Sequence, residues 1–107
     1  MTVLIAGEDA DGLGDALLDY GADLTRIEGM ATRESLLAAG IETADLLVLT
    51  EMDDASAIPV AKEENPDVRV VTYARDSLPE FVRGQTDLAV DPDLLSVDVV
   101  AEELVGA

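Results

Sequence analysis

The side chains in this chain that could do chemistry are carboxylates that directly follow apolar segments. Glu8, Asp9 and Asp11 lie in the glycine-rich stretch at residues 7–14, after an apolar run at residues 2–6. A turn rich in glycine could hold a phosphate, but three carboxylates would repel an anion unless a cation intervened. The competing interpretation is a tight turn whose acids cap a helix at its positive end.

Other candidate binding residues follow later strand-like segments. Glu28 stands where an acid would contact a ribose in a dinucleotide fold. The basic side chains expected near this edge are Arg75 and Arg33. Either could neutralise an anion, and Arg75 is the first choice. Since ligands bind beyond the carboxyl ends of parallel strands, we predict a binding rim that contains Gly7, Glu8, Asp9, Ala10, Glu28, Thr50, Asp53 and Arg75.

Several kinds of chemistry are not expected. The chain has no histidine and no cysteine, which removes the usual general base, the commonest metal ligand and every thiolate site. No nucleophile–base pair or paired-carboxylate spacing stands out. We therefore predict no catalytic residue, no metal site and no enzymatic activity.

The charge balance indicates the environment of the protein. Twenty-four acidic residues oppose six basic ones, giving a formal net charge of −18, and Lys62 is the one lysine. The acids are spread along the chain, and 49% of the residues are hydrophobic, so a disordered acidic chain is excluded. The pattern favours a protein adapted to high salt. The rival interpretation is a protein that mimics nucleic acid or recruits cations at ordinary salt.

Composition also limits the partners and the location. Binding to nucleic acid requires a basic patch, which this sequence does not offer. No run of 18 apolar residues exists and the N-terminus lacks a basic, apolar leader, so we predict no membrane insertion and a cytoplasmic location.

Short apolar strands alternate with amphipathic helices, and this alternation predicts the fold. The strands are predicted at residues 2–6, 22–28, 46–50, 68–74 and 88–90. Helices are predicted at residues 13–20, 32–39 and 77–83, and a further helix ends at about Glu64; it either starts near Ser56, with Pro59 in its first turn, or kinks at Pro59. A last helix is predicted with Asp91 as its cap, Pro92 at its first position and an inner stripe of Leu94, Val97, Ala101 and Leu104. Such alternation builds an α/β domain of three layers, a parallel sheet with helices on both faces, which we expect to span residues 1–107 as one unit.

The order of the strands follows partly from their apolar content. The first and third segments are the most continuously apolar, as central strands require. The second segment alternates with charged residues and suits an edge of the sheet. We therefore predict the first strand inside the sheet, between the second and the third.

The middle of the chain resembles the N-terminal NAD-binding domain of potassium-channel and potassium-uptake regulators, the TrkA-N or RCK domain. The similar segments are Gly29–Thr32, Leu36–Thr50, Asp53-Asp54, Asn65-Pro66, Ala74–Asp76 and residues 87–92. The resemblance implies a regulatory domain of Rossmann-like fold that binds NAD or an adenine nucleotide.

This sequence departs from that family in three respects. Asp9 replaces a glycine of the phosphate fingerprint, and Met30 replaces an aspartate. One βα unit is also missing, which leaves strand order 2-1-3-4-5. The resemblance therefore implies a stand-alone regulator with weak or lost nucleotide binding, whose protein partner could be a transport component; a homodimer is compatible with it.

The same strand order is that of response-regulator receivers, and Glu8 and Asp9 are similar to the acidic metal pair of that family. However, Thr50 stands where the phosphoacceptor aspartate should end the third strand, and Val90-Asp91 stands where a lysine should follow the fifth. The resemblance therefore implies a receiver fold without phosphorylation. The alternative to a nucleotide-binding regulator is a ligand-free protein–protein interaction module.

Overall fold

The structure, a computed structural model, describes residues 1–105. Its strands are β1 (Thr2–Ala6), β2 (Asp23–Ile27), β3 (Leu46–Leu49), β4 (Arg69–Tyr73) and β5 (Leu88–Val90). Its α-helices are α1 (Leu13–Asp19), α2 (Arg33–Ala39), α3 (Ala57–Glu64) and α4 (Val97–Leu104), and 3₁₀ helices span Ile41–Thr43, Met52–Asp54 and Glu80–Gln85. Residues 106 and 107, which the predicted domain includes, lie outside the described residues.

The five strands form one parallel sheet in the order β2-β1-β3-β4-β5. In the interior strand β1, Val3 pairs with Leu24 of β2 on one side and with Leu46 of β3 on the other. The predicted fold class is therefore confirmed, including the strand order and the place of the first strand.

Two apolar cores cover the two faces of the sheet. Along β3, Leu47 and Leu49 face the core shared with α2 and α3, whereas Leu46 and Val48 face the core shared with α1 and α4. All four side chains are 0% exposed. Successive side chains of a strand point to opposite faces, so a strand covered on both faces must be apolar at every position. Conversely, β2 is exposed at Asp23, Thr25 and Arg26, as an edge strand can be.

Local signals fix the starts of two helices. Thr32 caps α2, because its hydroxyl accepts a hydrogen bond from the Ser35 amide at 3.2 Å. Helix α3 begins directly after Ser56, which places Pro59 in the first turn, where a missing amide hydrogen breaks no helical bond. The start of α2 agrees with the prediction, and of the two possibilities that the sequence left open for α3, a start near Ser56 or a kink at Pro59, the structure has the first.

The prediction for the last helix was wrong at its start. Helix α4 begins at Val97 and is capped by Ser96, not by Asp91. Residues 91–95 form a turn in which the Asp91 carboxylate accepts from the Asp93 amide at 2.9 Å. Leu94 is 79% exposed and therefore does not belong to the inner stripe, whereas Ala101 and Leu104 are buried.

Two smaller differences concern helix type and helix length. The helix predicted at residues 77–83 is a 3₁₀ helix at Glu80–Gln85. Helix α1 ends at Asp19, and Tyr20 is 40% exposed rather than part of the buried face. Within residues 1–105, none of the helices combines the length and the hydrophobicity that crossing a bilayer requires.

Candidate functional site

Asp9 occupies the corner between β1 and α1. Its side chain is 3% exposed. One carboxylate oxygen accepts from the Leu13 amide and the other from the Gly14 amide, each at 2.8 Å, and Arg26 also donates to the second oxygen at 3.0 Å. Both oxygens are therefore engaged at the positive end of α1, where a negative charge is stabilising. Of the two interpretations of this loop, the helix-capping one describes Asp9.

The glycines around Asp9 give it room. A Cβ atom at Gly14 would lie 2.6 Å from Nη2 of Arg26 and 2.8 Å from Oδ2 of Asp9. Gly7 has φ of 105°, and a Cβ atom there would overlap the hydroxyl of Thr50. These two glycines serve close packing of side chains, so they do not by themselves indicate a phosphate loop.

Thr50 follows β3 and joins it to the first loop. Its hydroxyl donates to the Ala6 carbonyl at 3.1 Å and accepts from the Asp9 amide at 3.2 Å. The hydroxyl therefore already has one donor and one acceptor within the protein. Thr50 holds the β1 loop in place.

Arg75 follows β4 and links two loops. Its guanidinium donates two hydrogen bonds to Asp11, at 3.0 and 3.1 Å, and one to Asp93 at 3.0 Å. The hydrogen bonds from Arg75 lower the pKa of Asp11, and the hydrogen bonds to Asp11 and Asp93 raise the pKa of Arg75. The charge predicted to compensate an anionic ligand is thus already neutralised by two carboxylates.

A small cavity of about 110 Å³ lies between these loops, lined among others by Asp9, Ala10, Thr50 and Arg75. Tyr73, buried in its wall, donates through its hydroxyl to the Leu95 carbonyl at 2.7 Å. Burial, and then the charge of Asp11, raises the pKa of Tyr73. The cavity is too small for a nucleotide, since ligand sites typically occupy about 300–1,000 Å³.

A second and larger concavity lies on the other side of Glu8 and Glu51. This groove has a volume of about 710 Å³ and includes the turn between β2 and α2. We call it the acidic groove, because its wall contains Glu8, Glu28, Glu51, Asp53 and Asp54, together with Gly7, Gly29, Arg26, Ile27 and Met30.

The predicted rim is therefore divided between two concavities. Gly7, Glu28 and Asp53 line the acidic groove. Asp9, Ala10, Thr50 and Arg75 line the small cavity, and Glu8 lines both. Arg33 lines neither, because it pairs with Glu63 and Glu64 on α3. That these residues bind a ligand remains a prediction.

Sequence reasoning missed the partners that fix this edge. Asp54 is 6% exposed, and its carboxylate accepts from the Ala31 amide at 3.0 Å. Arg26 on β2 closes over Asp9 and also contacts Asp15 at 3.2 Å. No local pattern marks these pairs. The spacing of Asp9 to Leu13 and Gly14 was the one available signal, since it matches the start of a helix.

The positions at which a receiver performs phosphoryl transfer carry other residues. Thr50, directly after β3, replaces the phosphoacceptor carboxylate, and Asp91, directly after β5, replaces the lysine. Asp9, the second member of the acidic pair, is buried as a helix cap. The phosphoacceptor carboxylate and the lysine that a receiver uses are therefore both replaced, at positions 50 and 91.

Comparison with known families places the chain in a group. A family model described as a family of unknown function, DUF7126, matches residues 3–104. The chain belongs to this family. No curated protein matches the DUF7126 chain by sequence.

Experimental structures resemble the DUF7126 fold at low sequence identity. An orphan response regulator of H. pylori has a TM-score of 0.74 at 16% identity, and the match covers 97% of this chain and 92% of that one. A second structure, described as an atypical orphan response regulator with a phosphorylation-independent regulatory mechanism, has a TM-score of 0.71 at 17% identity, with 96% and 91% covered. A protein from Burkholderia thailandensis assigned to pilus assembly has a TM-score of 0.68 at 18% identity, with 100% and 99% covered.

These likenesses concern the fold. They support the resemblance to receivers, and they give no support to the resemblance to the RCK domain. The DUF7126 chain therefore has a receiver-like, flavodoxin-like fold.

Proposed function

We propose that this protein is a regulatory module of receiver-like fold that acts by binding another protein, without phosphoryl transfer and without enzymatic activity. The observation that carries the proposal is Thr50, whose hydroxyl is hydrogen-bonded to Ala6 and Asp9 at the position where a receiver needs a reactive carboxylate. The phosphorylation-independent mechanism ascribed to one structural neighbour gives a precedent for such a module.

The proposal also includes a cytoplasmic, salt-adapted setting. Eight of the 24 carboxylates pair with a basic side chain among residues 1–105. The remaining negative charge repels itself, and molar salt would screen that repulsion.

The test is a phosphorylation assay with acetyl phosphate and Mg²⁺, analysed by intact-protein mass spectrometry. A phosphorylatable receiver serves as the positive control. We expect no adduct on this chain and no change in its amide spectrum on adding beryllium fluoride. An acid-labile phosphoryl adduct on Glu8, Asp9 or Glu51 would overturn the proposal.

A second candidate function is the nucleotide-binding regulator implied by the RCK resemblance. One observation favours it: Glu28 lies directly after β2 and lines the same groove as Gly7, as a ribose-binding acid would. The five carboxylates of the groove oppose it. NAD, ADP or ATP should accordingly bind with a Kd above about 100 µM.

The nucleotide test needs a variant that leaves the fold intact. Glycine at positions 8 and 9 would remove repulsion, but it would also remove the Asp9 cap of α1. Glu8→Gln alone isolates the electrostatic effect and should tighten nucleotide binding. Arg75→Ala is the control and should change binding little, because Arg75 lines the small cavity and not the groove. Amide shifts are followed at molar KCl. Micromolar binding by the natural sequence would favour this second function, and an absence of shifts would favour the interaction module.

A further inference from the structure

We propose that the 3₁₀ helix at Glu80–Gln85 is the contact surface for a second copy of this chain, so that two copies form a weak symmetric dimer. We call this helix, together with Leu78 and Ala89, the crossover face, because the helix lies in the connection from β4 to β5. The inference goes beyond the function proposed above, since that function does not require the chain to associate with itself.

The first argument is the shape of the helix. A 3₁₀ helix has three residues per turn, so side chains three positions apart lie above one another. Phe81 and Gly84 therefore form one row, next to the row of Glu80 and Arg83, while Val82 is 0% exposed in the core of α2 and α3. Phe81 is 65% exposed, and a Cβ atom at Gly84 would meet nothing within 4 Å. One row thus offers a protruding ring and, one turn away, open space over a glycine.

The second argument is that this row is complementary to itself. In a dimer with a two-fold axis, a contact from one residue to another is always accompanied by the reverse contact. With the axis midway between Phe81 and Gly84, the ring of each copy would lie over the glycine of the other. Both contacts come from the same surface, so two copies suffice and the assembly closes.

The third argument is charge. Glu80 and Arg83 pair with each other at 3.2 Å, and their side chains are 91% and 59% exposed. The same two-fold axis would bring Glu80 of each copy within reach of Arg83 of the other, so that the pairs within each copy become pairs between copies. Two chains that each carry a net charge of −18 repel each other, and they approach closely only where the charge is locally balanced.

The fourth argument is the contrast with other exposed apolar side chains. Met30 is 72% exposed, but it shares its groove with five carboxylates. Leu94 is 79% exposed and stands between the exposed Asp93 and Asp98. At either position a second copy would bring further carboxylates to those already present. Phe81 is instead flanked by an acid and a base that neutralise each other. Aromatic residues are enriched, and charged residues depleted, at the centre of protein interfaces.

The size of the crossover face limits the affinity. Val90 belongs to the core of α1 and α4, so Ala89 points to the opposite face of the sheet, on the side of Val82. Ala89 is exposed there and lines a shallow concavity of about 260 Å³ together with Leu78. An aromatic ring buries about 150–250 Å², well below the roughly 800 Å² per partner of a stable interface. We therefore expect a weak dimer, with a Kd of about 100 µM.

The experiment is sedimentation equilibrium of the full chain in molar KCl, from about 10 µM to about 1 mM, with circular dichroism to check that each variant is folded. The natural sequence should pass from monomer to dimer over this range. Phe81→Ser should raise the Kd at least about tenfold. Met30→Ser is the matched control, since it removes a similarly exposed apolar side chain elsewhere, and it should change the Kd by less than about twofold.

Exchanging charges tests the pairing between copies. Glu80→Lys alone and Arg83→Glu alone should each raise the Kd more than about tenfold, because like charges then face each other across the axis. An equimolar mixture of the two variants should dimerise like the natural sequence, because each basic side chain of one variant then meets an acidic one of the other. The controls, Glu103→Lys and Arg69→Glu, make the same changes in net charge at exposed positions outside the crossover face. They should dimerise like the natural sequence, alone and mixed.

Three results would overturn the inference. A natural chain that stays monomeric at about 1 mM would leave the crossover face to a different protein. A dimer that persists in Phe81→Ser would form through another surface. Folded charge variants that stay monomeric when mixed would exclude the pairing of Glu80 with Arg83 across a two-fold axis. None of these results affects the proposed lack of phosphoryl transfer, which the acetyl phosphate assay tests separately.

Discussion

Replacing Asp9 by alanine removes a carboxylate that is 3% exposed and that holds two amides at the start of α1. A lost helix cap destabilises a protein by up to about 2 kcal/mol. The half-exposed pair with Arg26 adds up to about 0.5 kcal/mol. Asp9 also has φ of 54°, and alanine in that left-handed region costs roughly a further 1 kcal/mol. We therefore expect Asp9→Ala to lower the free energy of unfolding by about 3 kcal/mol.

The variant Asp9→Asn separates the effect of the lost carboxylate from the effect of the left-handed backbone. Asparagine tolerates the left-handed backbone and keeps one acceptor oxygen, so its cost should be about 1–2 kcal/mol. The matched control is Asp15→Asn, which removes the same charge and also touches Arg26, but from a side chain that is 82% exposed. The control should change stability by less than about 0.5 kcal/mol.

The assay is urea unfolding in molar KCl, monitored by circular dichroism, with all variants measured at one salt concentration. The order of stability should be the natural sequence and Asp15→Asn together, then Asp9→Asn, then Asp9→Ala. If Asp9→Ala unfolds at the same urea concentration as Asp15→Asn, the carboxylate does not hold the helix, and the capping interpretation of the loop fails.

Four further predictions concern the fold. The thermal midpoint should rise steeply between about 0.1 M and molar KCl, as the screening length falls from roughly 10 Å to 3 Å; an unchanged midpoint would refute the surface-charge argument. Amide exchange should be slowest in residues 3–6 and 46–49, and better protection of residues 24–27 would contradict the sheet order. The pKa of Asp87 lies below its ordinary value: desolvation alone would raise it, but the Val70 amide and Lys62 donate to the carboxylate. The stability contributed by the ionised Asp87 carboxylate is present at neutral pH and lost as pH falls below about 4. The Lys62→Met variant should therefore lose less stability than the natural sequence between about pH 5 and pH 3. Equal acid sensitivity of the two proteins would show that the Lys62–Asp87 pair contributes little. Gly7→Ala should lower the free energy of unfolding by about 1–3 kcal/mol more than Gly29→Ala does. Both glycines have positive φ, but a Cβ atom at Gly7 would overlap Thr50, whereas nothing lies within 4 Å of one at Gly29. Urea unfolding compares the two variants, and equal losses would show that the contact with Thr50 is unimportant.

Much of the fold could be predicted because burial on both faces leaves a direct trace in the sequence. The residues of β3 are Leu46, Leu47, Val48 and Leu49, and no polar residue could replace any of them without facing a core. The start of α4 could not be predicted in the same way. Pro92 and Ser96 are both acceptable near a helix start, and the choice depends on a tertiary contact, the hydrogen bond from Tyr73 to the Leu95 carbonyl.

The edge of the sheet at which the candidate residues lie could be predicted, but not their division between the small cavity and the acidic groove. Parallel strands end at one edge of the sheet, so the residues that follow them had to share that edge. Whether two such residues line the same cavity depends on side-chain partners far apart in sequence. Arg75 lies across from Asp11, which is 64 positions away, and this pair places Arg75 in the small cavity rather than in the groove.

The surplus of acid explains why composition alone could not identify the functional carboxylates. In a chain with 24 acidic residues spread along its whole length, an acid at a strand end carries little information about function. Burial carries more, since desolvating a carboxylate is unfavourable unless a donor compensates it. Asp9 is buried with both oxygens engaged, so its burial is explained by the helix that it caps. Asp54 is buried with one oxygen engaged and stands in the wall of the groove. The burial of Asp54 is likewise explained by the fold, because its carboxylate accepts from the Ala31 amide and ties the 3₁₀ helix after β3 to the turn before α2.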